Sequence, residues 1–222
     1  MTEVAQLFSS FQGLNELLAV YNDLDLLITA FKNKTQLDCL KGCRECCNTP
    51  AYHIEASVLE MLPLSIHIWQ SGEGEYWLQK LSETRPEEPC VLYISSPSVK
   101  SEGGCSQYGW RPLLCRLFGF SAIMHKHGKP VVALCKEAKK INPHLEGKIQ
   151  GLIDGGLKVP INSHFAERVS FLNPFYGQKL YPINEAFRLA LEVVGYRLTL
   201  ISDIQSDSGN TPPKGPSLGK IA

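Results

Sequence analysis

Four cysteines fall within nine residues, Cys39-Leu40-Lys41-Gly42-Cys43-Arg44-Glu45-Cys46-Cys47. A fold that brings four thiols so close must pair them, bury them or offer them an ion. The compartment decides among these, because a reducing environment disfavours structural disulfides and leaves metal binding or redox chemistry as the use. The opening Met1-Thr2-Glu3-Val4-Ala5-Gln6 has no basic, apolar leader, and no later stretch approaches the roughly 18 apolar residues of a membrane span. The expectation is a soluble cytoplasmic protein that makes no membrane contact. Eight cysteines in all are too many for chance packing. A buried free thiol remains the ordinary reading of Cys90 or Cys135 taken alone.

The Cys43-x2-Cys46 element suits a loop that turns two sulfurs toward one ion, since bonds of roughly 2.3 Å require convergent sulfurs. A tight turn achieves this with little loop-closure entropy. If the segment is helical, offsets of four and seven place Cys39, Cys43 and Cys46 on one face. Adjacent Cys46 and Cys47 point to opposite sides in extended chain and then serve different partners. If the backbone bends there, both can enter a polynuclear cluster.

A second group follows, Cys105-Ser106-Gln107-Tyr108-Gly109-Trp110-Arg111-Pro112-Leu113-Leu114-Cys115-Arg116. Two thiols stand beside two guanidinium groups here. Thiolates around a divalent ion leave net negative charge, and Arg111 and Arg116, always protonated, can offset it or donate to a bound group. The ordinary alternative for each is a surface ion pair.

These two blocks together resemble the CxxCxxCC family of zinc- or iron-chelating domains, whose pattern is a clustered cysteine run followed by C-x-I/V-Y-x2-R-P-x2-C-R. Cys43, Cys46 and Cys47 match the run; Cys105, Tyr108, Arg111, Pro112, Cys115 and Arg116 match the second block; Cys90-Val91-Leu92 matches an intervening C-x-L strand. The likeness spans about residues 39 to 135. Three residues separate Cys39 from Cys43 where the family has two, and Gln107 replaces an aliphatic residue. The resemblance implies metal chelation. Relatives that include flagellin lysine methylases imply, as the alternative, a metal-dependent enzyme that modifies a protein substrate.

Cys39-x3-Cys43-x2-Cys46 also has the spacing of radical S-adenosylmethionine enzymes, but Glu45 stands where an aromatic is usual, Cys47 is extra and no strand-helix alternation of a partial barrel is present. His125 and His127 flank a hairpin turn and could ligate, as could His53, although solvated turn histidines are commoner. Formal charge is zero, with 22 basic and 22 acidic residues and no basic run, which argues against nucleic acid. No His-Glu-x-x-His motif or phosphate-binding glycine loop occurs.

Apolar residues at Leu7, Phe11, Leu14, Leu18, Tyr21, Leu24, Ile28 and Phe31 predict a helix or helical pair over 4–31, with Asn22 and Asp23 as a candidate internal cap. Gly42 and Pro50 break the cysteine segment. A short helix through Ala56, Leu59 and Leu62 should stop at Pro63. Another spans Glu75 to Ser82. Strands are expected at Cys90–Ile94, Phe118–Met124 and Val131–Leu134, the last two around His125–Lys129. Helices then run from Asn142 and Pro143 to Gly155 and from Ile183 to Val194. The fold class is α+β, a small antiparallel sheet with cysteine-bearing loops and helices on either side. The segments are an N-terminal helical stretch (1–34), a cysteine-rich metal-binding core (35–140), C-terminal helices packed on it (141–205) and a Pro/Gly/Ser-rich disordered tail (206–222).

The expected ligands are, in order, Cys43, Cys46, Cys47 and Cys115, then Cys39 and Cys105, then Cys90 and Cys135, with Arg111 and Arg116 offsetting charge. Soft thiolates suit iron, as an ion or an iron-sulfur cluster, and zinc almost equally. Vicinal cysteines and the excess of thiols over a single zinc site favour iron.

Overall fold

Three-four spacing of apolar residues builds the first long helix, α1 (Leu14–Thr35), which buries Leu14, Leu17, Tyr21, Leu24 and Phe31 along one face. The structure, a computed structural model, describes residues 7–39, 43–95 and 104–208. Gly42, expected to break the cysteine segment, lies outside them. Asn22 and Asp23 stay inside α1 because the apolar stripe continues past them. The chain breaks instead before Gly13, whose φ of 84° favours glycine and where a Cβ would sit 2.6 Å from the Leu172 carbonyl oxygen.

Helix α2 (Val58–Gln70) begins with a capping box in which Ser57 and Glu60 each bond the other's backbone N–H. It does not stop at Pro63. Every residue from Val58 to Ile66 is buried, and that packing outweighs the roughly 3 kcal/mol cost of a proline in a helix interior. Its C-terminal Trp69 fixes two other helices, α3 (Gly74–Glu83) and α8 (Ile183–Ser208). The indole N–H donates to the Leu191 carbonyl at 2.9 Å, and a Cβ on Gly74 or Gly195 would fall 2.4 or 2.6 Å from the ring. Both glycines are there because the ring is. Helix α8 extends to Ser208, well past Val194, so residues 206–208 are helical, while 209–222 of the expected tail lie outside the described residues.

Two antiparallel pairs complete the α+β fold in place of a single sheet. Strand β1 (Glu55–Ser57) pairs with β4 (Leu180–Pro182), stapling the start of α2 to the start of α8. Strands β2 (Ser121–Met124) and β3 (Pro130–Ala133) form the expected hairpin, with the His125 N–H bonded to the Lys129 carbonyl. The outer edge of β3 is occupied by a side chain: Gln150 accepts from the Val132 N–H and donates to the Pro130 carbonyl.

Cys90–Ile94 is not a regular strand. Cys90 and Tyr93 close a turn, and only isolated bonds join the segment to residues 104–106. The alternation that suggests a strand lacks a long partner to pair with. Four further helices follow: α4 (Leu113–Leu117), α5 (Lys136–Ile141), α6 (Leu145–Asp154) and α7 (Asn162–Ser170). The sequence reading missed α4, α5 and α7, and set the start of α6 two or three residues early. Asn142 accepts from the His144 N–H just ahead of α6.

The main hydrophobic core joins α1, α2, α3 and α8. A second gathers Phe31 and Leu37 with Phe120, Ala122, Val132, Ile149, Ile153 and Val159 around the hairpin and α6. The cysteine loops lie beside the main core, with Cys90, Cys105 and Cys115 packed against it. No helix among the described residues is long and apolar enough to cross a membrane.

Candidate metal centre

The backbone bends at the vicinal cysteines. The N–H groups of Cys47 and Asn48 both reach the Arg44 carbonyl at 2.9 Å, and the turn brings the Cys46 and Cys47 sulfurs to 3.9 Å. Sulfurs at two vertices of a tetrahedral centre with bonds of roughly 2.3 Å are about 3.8 Å apart. Of the two arrangements open in the sequence, the bent one is realised.

Two other loops reach this turn. Gly104 packs so closely that a Cβ on it would lie 3.1 Å from Arg44 and 3.2 Å from Cys47, so Cys105 follows directly from the contact. The 104–106 loop is in turn bonded to the Cys90 loop, through Ile94 N–H to Gly104 and Ser106 N–H to Leu92. Asn184 at the start of α8 accepts from the Val91 N–H, and Lys80 of α3 donates to the Val91 carbonyl. Two scaffold helices therefore hold the Cys90 turn in place. The Arg44 side chain bonds the Ser95 carbonyl at 3.1 Å, while its Nε is buried without a hydrogen-bond partner among the described residues.

The two expected arginines are used differently. Arg111 stacks its guanidinium 3.4 Å from the centre of the Tyr108 ring and bonds the carbonyls of Tyr108 and Cys115. Its charge favours the thiolate forms of Cys46, Cys105 and Cys115. Arg116 faces α1: it donates to Asp25 at 2.6 Å and to the Gly109 and Arg111 carbonyls, with its guanidinium over Tyr21. Arg116 thus braces the loop that carries Arg111.

Electrostatics tie the thiols into one neighbourhood. Burial, then charge on Cys46, Cys135, Cys43 and Asp38, pushes Cys39 up to about 11. The contact with Cys47 drives Cys46 far above the usual thiol range. Burial pushes Cys90 up to about 12, with charge on Cys105 adding to it. Cys115 is raised further by burial, then by Cys90 and Cys105, while Arg111 opposes the rise. Cys105 is raised mainly by burial. These groups hold their protons at neutral pH, so a thiophilic ion must displace them.

Cys135 has a local use as well, since its sulfur accepts from the Ala138 N–H at 3.4 Å and caps α5. His125 and His127 stand exposed on the hairpin turn with ring centroids 5.4 Å apart, and His53 is exposed against Tyr52. Among the described residues, no three His, Cys, Asp or Glu side chains are spaced to hold an ion without moving. The donor chemistry fits a soft metal, and the Cys46–Cys47 separation matches one edge of a tetrahedral arrangement. Further ligands would have to close on it.

Sequence reasoning missed Glu60, which is 4% exposed beneath the site. One carboxylate oxygen accepts from Ser57, and the other accepts from the Leu113 N–H at 2.8 Å and the Tyr21 hydroxyl at 3.4 Å. Leu113 opens the helix that carries Cys115, so Glu60 fixes that helix to α2. Burial, and secondly the Glu60 charge, hold the Tyr21 phenol well above its ordinary value. The Ser57-x2-Glu60 box was the available signal for a local role.

The chain matches no protein-family model, no curated protein and no solved structure.

Proposed function

We propose that this chain is a cytoplasmic chelator that binds iron, as an ion or an iron-sulfur cluster, or zinc, through thiolates from several loops. The observation that carries the reading is the 3.9 Å Cys46–Cys47 pair, set against the loop of Cys105 and coupled electrostatically to Cys39, Cys105 and Cys115. Soft thiolate donors select these metals over hard cations. The resemblance to the CxxCxxCC domains, carried by Cys43, Cys46, Cys47, Cys105, Tyr108, Arg111 and Cys115, supports the same chemistry.

Cys43, Cys46, Cys47 and Cys115 would hold the metal, with Cys39, Cys105, Cys90 and Cys135 as further donors. Arg111 would offset the negative charge from among the sulfurs. When bound, the metal would supply either a rigid link between the loops or a redox-active centre. Anaerobic purification followed by elemental analysis and a visible spectrum tests this. Iron with broad visible absorption is the expected result, and colourless protein with one equivalent of zinc selects zinc instead. Protein that retains neither metal, and takes up neither when reduced and reloaded, overturns the reading.

A further inference from the structure

The eight thiols differ in access to solvent. Cys46 is exposed and Cys47 partly so, whereas Cys90, Cys105 and Cys115 pack on the main core. Cys39 is also exposed, but the residues that join it to Cys43 lie outside those described. Cys46 and Cys47 are held at a spacing a tetrahedral ion requires, by a turn whose two backbone bonds are independent of any ligand. A first pair of sulfur–metal bonds can therefore form there without moving the backbone. Inner thiols must approach afterwards.

We propose that Cys46 and Cys47 form a solvent-facing dithiol that captures a thiophilic cation, and that Cys115, with Cys90 and Cys105, then closes on the ion and retains it. The inference rests on the chelation reading and adds an order of events to it. Each sulfur that ligates releases its proton to solvent, so two protons leave with the first two bonds. Capture follows exposure and geometry; retention follows burial.

Two probes separate this order from chelation itself. One equivalent of phenylarsine oxide, added to the reduced metal-free chain, should remove two of the eight titratable thiols. The arsenic–oxygen bond breaks, two arsenic–sulfur bonds form, and the thiol protons leave with the oxygen as water. The Cys46→Ser/Cys47→Ser variant should lose none; equal loss in that variant overturns the dithiol. Cadmium uptake, followed by thiolate-to-cadmium absorption after rapid mixing, should slow at least about tenfold in the double variant. Cys115→Ser should bind at the parental rate and release cadmium to a chelator at least about tenfold faster. An unchanged rate in the double variant, or equally slow uptake in Cys115→Ser, overturns the order. If the parent takes up no cadmium, chelation and the order both fall, and the arsenical result alone decides whether the dithiol exists.

Discussion

The contact of α2 with α8 and the meeting of the cysteine loops are both built from distant parts of the chain, yet they differ in how their polar groups are left. In the helical region Glu60, Trp69 and Asn173 are buried or partly buried, and each has its hydrogen bonds made. In the loops the thiols keep their protons above the usual range. Among the described residues a buried side-chain atom is left without a hydrogen-bond partner in each region, Ser65 Oγ on α2 and Arg44 Nε in the cysteine turn, so the difference lies in the ionisable groups. The Glu60 carboxylate has its partners within the chain, whereas the sulfur groups stand in a state that a bound metal would change. Substitutions in the first region should therefore alter stability, and substitutions in the second should alter metal content.

The largest effect on stability is expected at Glu60. Glu60→Ala removes the acceptor for the Ser57 and Leu113 N–H groups, and orphaned buried donors cost about 1–3 kcal/mol each, so a loss of about 4 kcal/mol should appear in denaturant unfolding. A loss below about 1 kcal/mol would show that water replaces the carboxylate and that the region is less closed than described. Gly195→Ala comes next, at about 1–3 kcal/mol, because its methyl group must enter the space of the Trp69 ring. Metal content per folded chain should be unchanged by it. A Gly195→Ala chain that stays folded but binds no metal would break the separation of the two regions.

The pH response is confined to alkali. Cys39 at about 11 and Cys90 at about 12 lie above the ordinary thiol value of 9.0, so the unfolded chain gives up those protons first. Stability of the metal-free protein should be flat below pH 9 with respect to these groups and fall as pH rises toward 12. Metal uptake has the opposite sign and strengthens with pH, because binding releases protons. Alkaline unfolding curves that coincide for the parent and a Cys39→Ser/Cys90→Ser variant would contradict this. Smallest of all is the effect of Cys115→Ser on the metal-free fold, about 1 kcal/mol, since a hydroxyl replaces a thiol of nearly the same shape. The same variant should lose metal on elemental analysis.

Parts of this arrangement are legible in the sequence for physical reasons. The stripe from Leu14 to Phe31 and the hairpin around His125–Lys129 declare themselves through local periodicity and turn chemistry. Pro63 misled because a local stop signal takes no account of the burial on every side of α2. Cys90–Ile94 misled because alternation says which residues could face a core and nothing about whether a partner strand exists. The cysteine run pointed to one place, and the bend that joins Cys46 to Cys47 depends on backbone bonds to Arg44 that periodicity does not encode. Glu60 was invisible for another reason: its acceptor role at Leu113 spans 53 residues.

Gln150 gives the hairpin a protection of its own. A two-stranded ribbon leaves both outer margins of amides and carbonyls open to recruitment by a neighbouring molecule, the first step of fibrillar stacking, and on the β2 side Ala122 is bonded to Pro160. On the β3 side a primary amide on α6 imitates the peptide group of a third strand against Val132 and Pro130. Self-association through that margin would first have to evict it.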